Sequence, residues 1–137
     1  MWDGDPSATD AAGRLTYPRV YASPDGETHF QDVAVPMTPA VYVPGIPLVD
    51  VGEPHPVTAL TFSRLAAGYE SDWHPARSRQ FVLIVAGGME LTVTDGATRR
   101  FGPGDIFLVE DTAGKGKGHQ TRAVGMEECV FVTAACA

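Results

Sequence analysis

The sequence predicts an all-β protein, a small antiparallel barrel or jelly roll. Three observations carry this. Short apolar or alternating runs recur along the chain, and glycine, proline and Asp-Gly turns separate them. No window shows apolar residues at helical spacing with caps at its ends. Many short strands divided by turn residues close into a barrel or sandwich.

The elements follow in order. Residues 1–16 are rich in Asp, Gly, Ser and Ala and predict a loose N-terminal segment, with a single domain over 17–137. Residues 20–22 and 29–35 read as strands around the turn Ser23-Pro24-Asp25-Gly26. Pro36, Pro39, Pro44, Pro47 and Pro54 crowd the next stretch. Proline offers no N–H to a ladder, so residues 36–56 run extended over the surface or edge a sheet. Residues 57–65 alternate as a strand. Residues 80–85 are almost continuously apolar and predict a strand buried on both faces or nearly so. Residues 89–94 and 97–101 form a hairpin across the two-residue turn Asp95-Gly96. Residues 106–109 and 129–134 complete the set. No internal repeat is present.

Composition narrows the function. A chain of 137 residues with 44% apolar content can bury its own core. Its net charge of −7 repels phosphate backbones and argues against nucleic-acid partners. No apolar run approaches the roughly 20 residues of a membrane helix. The start, Met1-Trp2-Asp3-Gly4-Asp5-Pro6, has neither the positive nor the apolar region of a signal peptide. Cys129 and Cys136 are the only cysteines, which fits free thiols in a reducing, cytoplasmic setting.

Two motifs carry the chemistry. Gly68, His74 and Gly87 frame the first, with Ala76 and Gln80 between them. Pro103-Gly104-Asp105 opens the second, followed by Glu110, His119 and Ala123. This arrangement resembles the paired signatures of the cupin superfamily over residues 57–135. In that family the first signature holds two histidines and a glutamate, and the second holds a third histidine. Here Ala76 replaces the second histidine and Gln80 the glutamate. Glu110 falls where a proline is expected and Ala123 where an asparagine is. The loop 112–118 adds length before His119. The resemblance implies a small stand-alone cupin barrel. It implies catalytic roles for His74, His119 and Gln80, and a divalent metal (Fe, Zn, Ni, Mn or Cu) held by His74, Gln80 and His119.

Each residue also has a plainer reading. His74 is a site residue or a hydrogen-bonded polar group at the barrel mouth. Gln80 opens an apolar strand, and a buried amide without partners costs about 1–3 kcal/mol, so it binds metal, substrate or neighbours. Arg79 and Gln80 face opposite ways on a strand, and Gln80 is expected inward. Glu110 or Asp111 could supply the missing carboxylate or lie exposed on a loop. His29, Tyr69, Trp73 and Glu110 are candidate substrate contacts, although His29 reads first as a surface or core-edge residue, and His55 reads as structural. No Ser-His-Asp set stands in recognisable context. The Gly114-Lys115-Gly116-Lys117-Gly118 run lacks phosphate-loop spacing and reads as a mobile lid, with Lys115 or Lys117 steering an anionic substrate.

The expected function is an enzyme acting on a small organic molecule in the barrel cavity, of cyclase, lyase, isomerase or dioxygenase type. It is either metal-assisted or uses His74 and His119 as acid and base. The alternative is a non-catalytic cupin that binds or senses a small ligand. Exposed edge strands and the proline-rich segment predict a homodimer.

Overall fold

The protein is described as a computed structural model covering residues 9–137. Most of the expected loose segment therefore lies outside the described residues. Residues 9–15 form a turn, in which Asp10 accepts backbone hydrogen bonds from Ala12 and Arg14. Among the described residues no helix occurs, so none is long and apolar enough to cross a membrane.

Among the described residues are eleven strands: β1 (Thr16–Ala22), β2 (Thr28–Ala34), β3 (Thr38–Ala40), β4 (Val49–Val51), β5 (Val57–Leu65), β6 (Gln80–Ala86), β7 (Met89–Val93), β8 (Thr98–Phe101), β9 (Ile106–Val109), β10 (His119–Ala123) and β11 (Cys129–Cys136). Six form one sheet in the order β2-β1-β9-β6-β11-β5, and three form a second in the order β10-β7-β8. β3 and β4 pair only with each other. Every ladder is antiparallel except the short β1–β9 pairing, which is parallel through Arg19↔Leu108 and Val20↔Val109. The all-β barrel read from the sequence is present, with that one parallel seam.

Period-two alternation builds the core between the sheets. On β7, Met89, Leu91 and Val93 are buried while Glu90 and Thr92 face outward. They pack with Val20, Ile84, Phe101 and Phe107. Burial of each such side chain contributes about 1.5–3 kcal/mol. The outward Glu90 lies opposite Arg100 on β8 and Arg122 on β10. Its carboxylate accepts from Arg122 Nε at 2.7 Å and Arg100 Nε at 2.8 Å, tying the three-stranded sheet across its outer face.

Two expectations change. On β6, Val82 and Ile84 face the core, whereas on the outer face Phe81 is buried but Leu83 and Val85 are exposed. The proline-rich stretch edges neither main sheet and runs exposed over the surface, as expected, in the form of a separate two-stranded ribbon, β3–β4. The glycine-lysine loop does not stand free as a lid. Lys117 N donates to Gly26 O at 2.9 Å, and the Lys117 ammonium pairs with the Glu27 carboxylate. Those contacts dock the loop on the β1–β2 turn. Lys117 is thereby committed to Glu27 rather than to a substrate.

Candidate functional site

The site begins with backbone pairing. His74 N donates to His119 O at 3.0 Å, and His119 N donates to His74 O at 2.9 Å. This bridge joins the segment before β6 to the start of β10 and brings the two imidazole rings to 4.7 Å between centroids. Gly118 makes the approach feasible. Its φ is +81°, and a side chain there would run into the His74 carbonyl. Only glycine fits both constraints.

His74, His119 and Gln80 line one cavity of about 270 Å³, together with Tyr69 and Arg77. Val82, Leu91, Phe107, Val109 and Phe131 form its apolar wall. The volume is near the lower end of about 300–1,000 Å³ for small-molecule pockets. Ala76 sits in the same wall, buried, where a second histidine side chain would fill space.

β9 runs out into Glu110 and Asp111, and their side chains part. Glu110 N donates to Val20 O, while Ala76 N donates to Asp111 O. The Glu110 carboxylate turns away from the cavity to Arg79 at 2.8 Å and Arg19 at 3.2 Å. Burial works to raise the Glu110 carboxyl, but the hydrogen bonds from Arg79 and Arg19 outweigh it and hold it below the usual range. Asp111 goes inward. It is 1% exposed, and its Oδ2 lies 2.6 Å from His119 Nδ1. Its Oδ1 is buried with no hydrogen-bond partner.

These bonds fix the tautomers. A carboxylate and a carbonyl only accept, so each ring nitrogen facing one is N–H. His119 Nδ1 donates to Asp111, and His74 Nδ1 donates to Pro75 O at 3.0 Å. Nε2 of each ring remains for a ligand. Ser78 Oγ lies 3.4 Å from Gln80 Oε1, at the long limit of a hydrogen bond, and Gln80 lines the cavity.

The donor set does not fit a metal of the kind the resemblance implies. Among the described residues no group of three His, Cys, Asp or Glu side chains could hold an ion. Ala76 and Gln80 remove one imidazole and one carboxylate. The two nearby carboxylates are committed, Glu110 to arginines and Asp111 to His119. Two imidazoles and a neutral amide are a weak set for a divalent transition metal.

Other expected contacts separate. Tyr69 lines the cavity; Trp73 is exposed and Glu110 points elsewhere, and neither forms its wall. His29 is also outside it. His29 Nε2 lies 2.8 Å from Ser23 Oγ and Nδ1 lies 2.9 Å from Asp95 Oδ2. That chain has the order of a nucleophile, base and orienting acid, which sequence spacing alone did not show. However, Ser23 Oγ also lies 2.5 Å from Asp25 Oδ1 and 3.1 Å from Glu27 O, so its one proton is contested by other acceptors, and Ser23 N is spent on Glu27 O. The chain therefore joins the turn at 23–26 to the turn at 95–96 and presents no activated nucleophile.

No protein-family model matches the chain, and no curated protein matches it. Solved structures similar to it include cupins. One is a cupin 2 conserved barrel domain protein from Salinispora arenicola, with 19% identity over 74% of this chain and 75% of that one, at a TM-score of 0.43. Another is a cupin domain from Schizosaccharomyces pombe, with 18% identity over 88% of this chain and 87% of that one, at a TM-score of 0.44. A third is a sugar phosphate isomerase of the cupin superfamily from Silicibacter pomeroyi, with 17% identity over 92% of this chain and 73% of that one, at a TM-score of 0.43.

Proposed function

We propose that this cupin-type barrel is an acid–base enzyme that moves a proton within a small, mostly apolar molecule carrying a carbonyl or hydroxyl group. The observation that carries the reading is His119 on the wall of an apolar cavity with the buried Asp111 paired to it, 2.6 Å between Oδ2 and Nδ1. A carboxylate behind an imidazole holds one tautomer and stabilises the imidazolium that forms on proton uptake.

The roles follow from the free atoms. His119 Nε2 takes a proton from the substrate, and Asp111 holds the ring in place as charge develops. The Gln80 amide N–H₂ donates to the substrate oxygen where negative charge builds. His74, with its ring centroid 4.7 Å from that of His119, enters the cycle carrying a proton on Nε2 and gives it at a second position; exchange with solvent then removes the proton from His119 and restores that on His74. Proton removal at one carbon and return at another is isomerisation. Return to a leaving hydroxyl is dehydration. Neither needs a co-reactant.

The test is turnover in D₂O with a panel of small enolisable ketones and β-hydroxy carbonyl compounds, read by mass spectrometry and NMR. Deuterium uptake or water loss with one class, abolished in His119→Gln, supports the reading. Saturable binding without exchange in any class would overturn it in favour of a ligand-binding cupin.

A further inference from the structure

Among the described residues, seven of the chain's eight arginines form ion pairs with Asp or Glu side chains. Arg77 forms none. Its near neighbour Arg79 turns to Glu110 at 2.8 Å, and that carboxylate also takes Arg19 at 3.2 Å. Arg77 lines the cavity that holds His74, Gln80 and His119. Backbone pairing puts it there. His74 is bonded to His119, and Ala76 N donates to Asp111 O at 2.9 Å, which ties the segment before Arg77 to the residues flanking the 112–118 loop. Arg77 is also exposed, so it stands where the cavity meets solvent. No Asp or Glu shares the cavity wall with it. Lys115, the other Lys or Arg without an ion pair among the described residues, does not line the cavity.

We infer, resting on the acid–base reading above for the chemistry at His119, that the molecule this cavity takes is a small monocarboxylic acid bearing an oxo or hydroxy group. Its carboxylate pairs with Arg77, and its apolar part lies along Val82, Leu91 and Phe107. The guanidinium is a planar fork that meets both oxygens of a carboxylate at once. Charge fixes the class. One guanidinium balances one negative charge, whereas a phosphate monoester carries roughly −1.5 to −2. Among the described residues neither a second Lys or Arg nor a helix N-terminus lines the cavity to meet the excess. The chain's net charge of −7 repels anions at a distance, so an acid that enters needs a local cation. Arg77 is therefore a specificity-determining residue, and the proton transfer stays with His119 and His74.

The test is equilibrium binding by calorimetry of two acids, levulinate and β-hydroxybutyrate. Each is measured beside its methyl ester, which keeps the skeleton and removes the charge. The acid should bind at least about tenfold tighter than its ester at low ionic strength, and the preference should shrink as salt is added. Arg77→Gln should bring the acid down to the affinity of the ester and leave the ester unchanged. Arg77→Lys should keep part of the preference, since the charge stays and the fork is lost. Arg77 is exposed, so circular dichroism of both variants should remain that of the folded protein. Acid and ester binding equally overturns the inference, and so does a preference that Arg77→Gln leaves intact. Failure of both acids to bind, or tighter binding of propyl phosphate than of either acid, overturns it too. Deuterium exchange without any preference for the acid would sink this inference and spare the acid–base reading. A preference lost in Arg77→Gln, with no exchange in any class, would spare this inference and sink that reading.

Discussion

Asp111 and His119 are eight residues apart in the chain and 2.6 Å apart in the folded protein. The contact spans the glycine-lysine loop. That loop is fastened to the β1–β2 turn by Lys117, and Gly118 packs under the His74 carbonyl. The inserted length therefore delivers His119 to both Asp111 and His74.

The first prediction concerns that pair. Asparagine at 111 keeps the shape but can offer an N–H to His119 Nδ1, moving the ring proton to Nε2 and removing the base. Asp111→Asn should lower kcat by about 10²–10⁴ with little change in thermal stability. The imidazole ¹⁵N shifts of His119 should report the swapped tautomer. Full activity with an unchanged tautomer would show that Asp111 serves packing alone.

Gln80→Glu separates acid–base from metal chemistry. In a partly apolar cavity the new carboxylate is desolvated, which raises its folded pKa above the unfolded value of about 4.3. A raised carboxylate pKa destabilises the fold wherever the unfolded chain is ionised. Stability should therefore drop at pH 7 and return as pH falls toward 4. Metal content by elemental analysis should not change. Higher metal occupancy with retained stability at pH 7 would instead establish a ligand role for position 80.

Glu90 offers a test of the second sheet. The hydrogen bond from Arg122, then that from Arg100, holds the Glu90 carboxyl below its ordinary 4.5 against the opposing effect of burial. A depressed folded pKa gives stability that is present above 4.5 and fades as pH falls through the lower folded value. Glu90→Gln should cost about 1–2 kcal/mol at pH 7, within the range for charge-assisted hydrogen bonds shared with exposed arginines. In urea melts the gap between variant and parent should close on acidification. A gap that persists at pH 3 would assign the effect to packing.

Most of the fold was legible because its strands carry their own pattern. The alternation at Met89, Leu91 and Val93 and the Asp95-Gly96 turn define the β7–β8 hairpin without tertiary help. β10 was not legible: His119-Gln120-Thr121-Arg122-Ala123 has no apolar alternation, and its place comes from pairing with β7. The β3–β4 ribbon hid because prolines at 36, 39, 44 and 47 mask short strands. At the site, His74 and His119 were readable as a frame and Gln80 from strand parity. The choice between Glu110 and Asp111 was not. It depends on Arg19 and Arg79, which arrive from β1 and the approach to β6 to draw Glu110 outward. His29 illustrates the same limit, since its partners Ser23 and Asp95 lie on two different turns.

The cysteines give the last prediction. Both are free, but their surroundings differ. Cys129 begins β11 with no exposed surface, packed in the core, and burial pushes its thiol up to about 11. Only the thiolate reacts quickly with alkylating and disulfide reagents, so at pH 8 Cys129 is held back twice, by access and by protonation. Cys136 is partly exposed and meets less of the access barrier. Iodoacetamide at pH 8 should therefore label Cys136 promptly, with peptide mapping showing Cys129 unmodified. Labelling of Cys129 should appear with the unfolding transition as urea is added and follow it in midpoint. Equal labelling of both thiols in the native protein would mean that the β5–β11–β6 seam opens locally, and that Cys129 is no fixed part of the core.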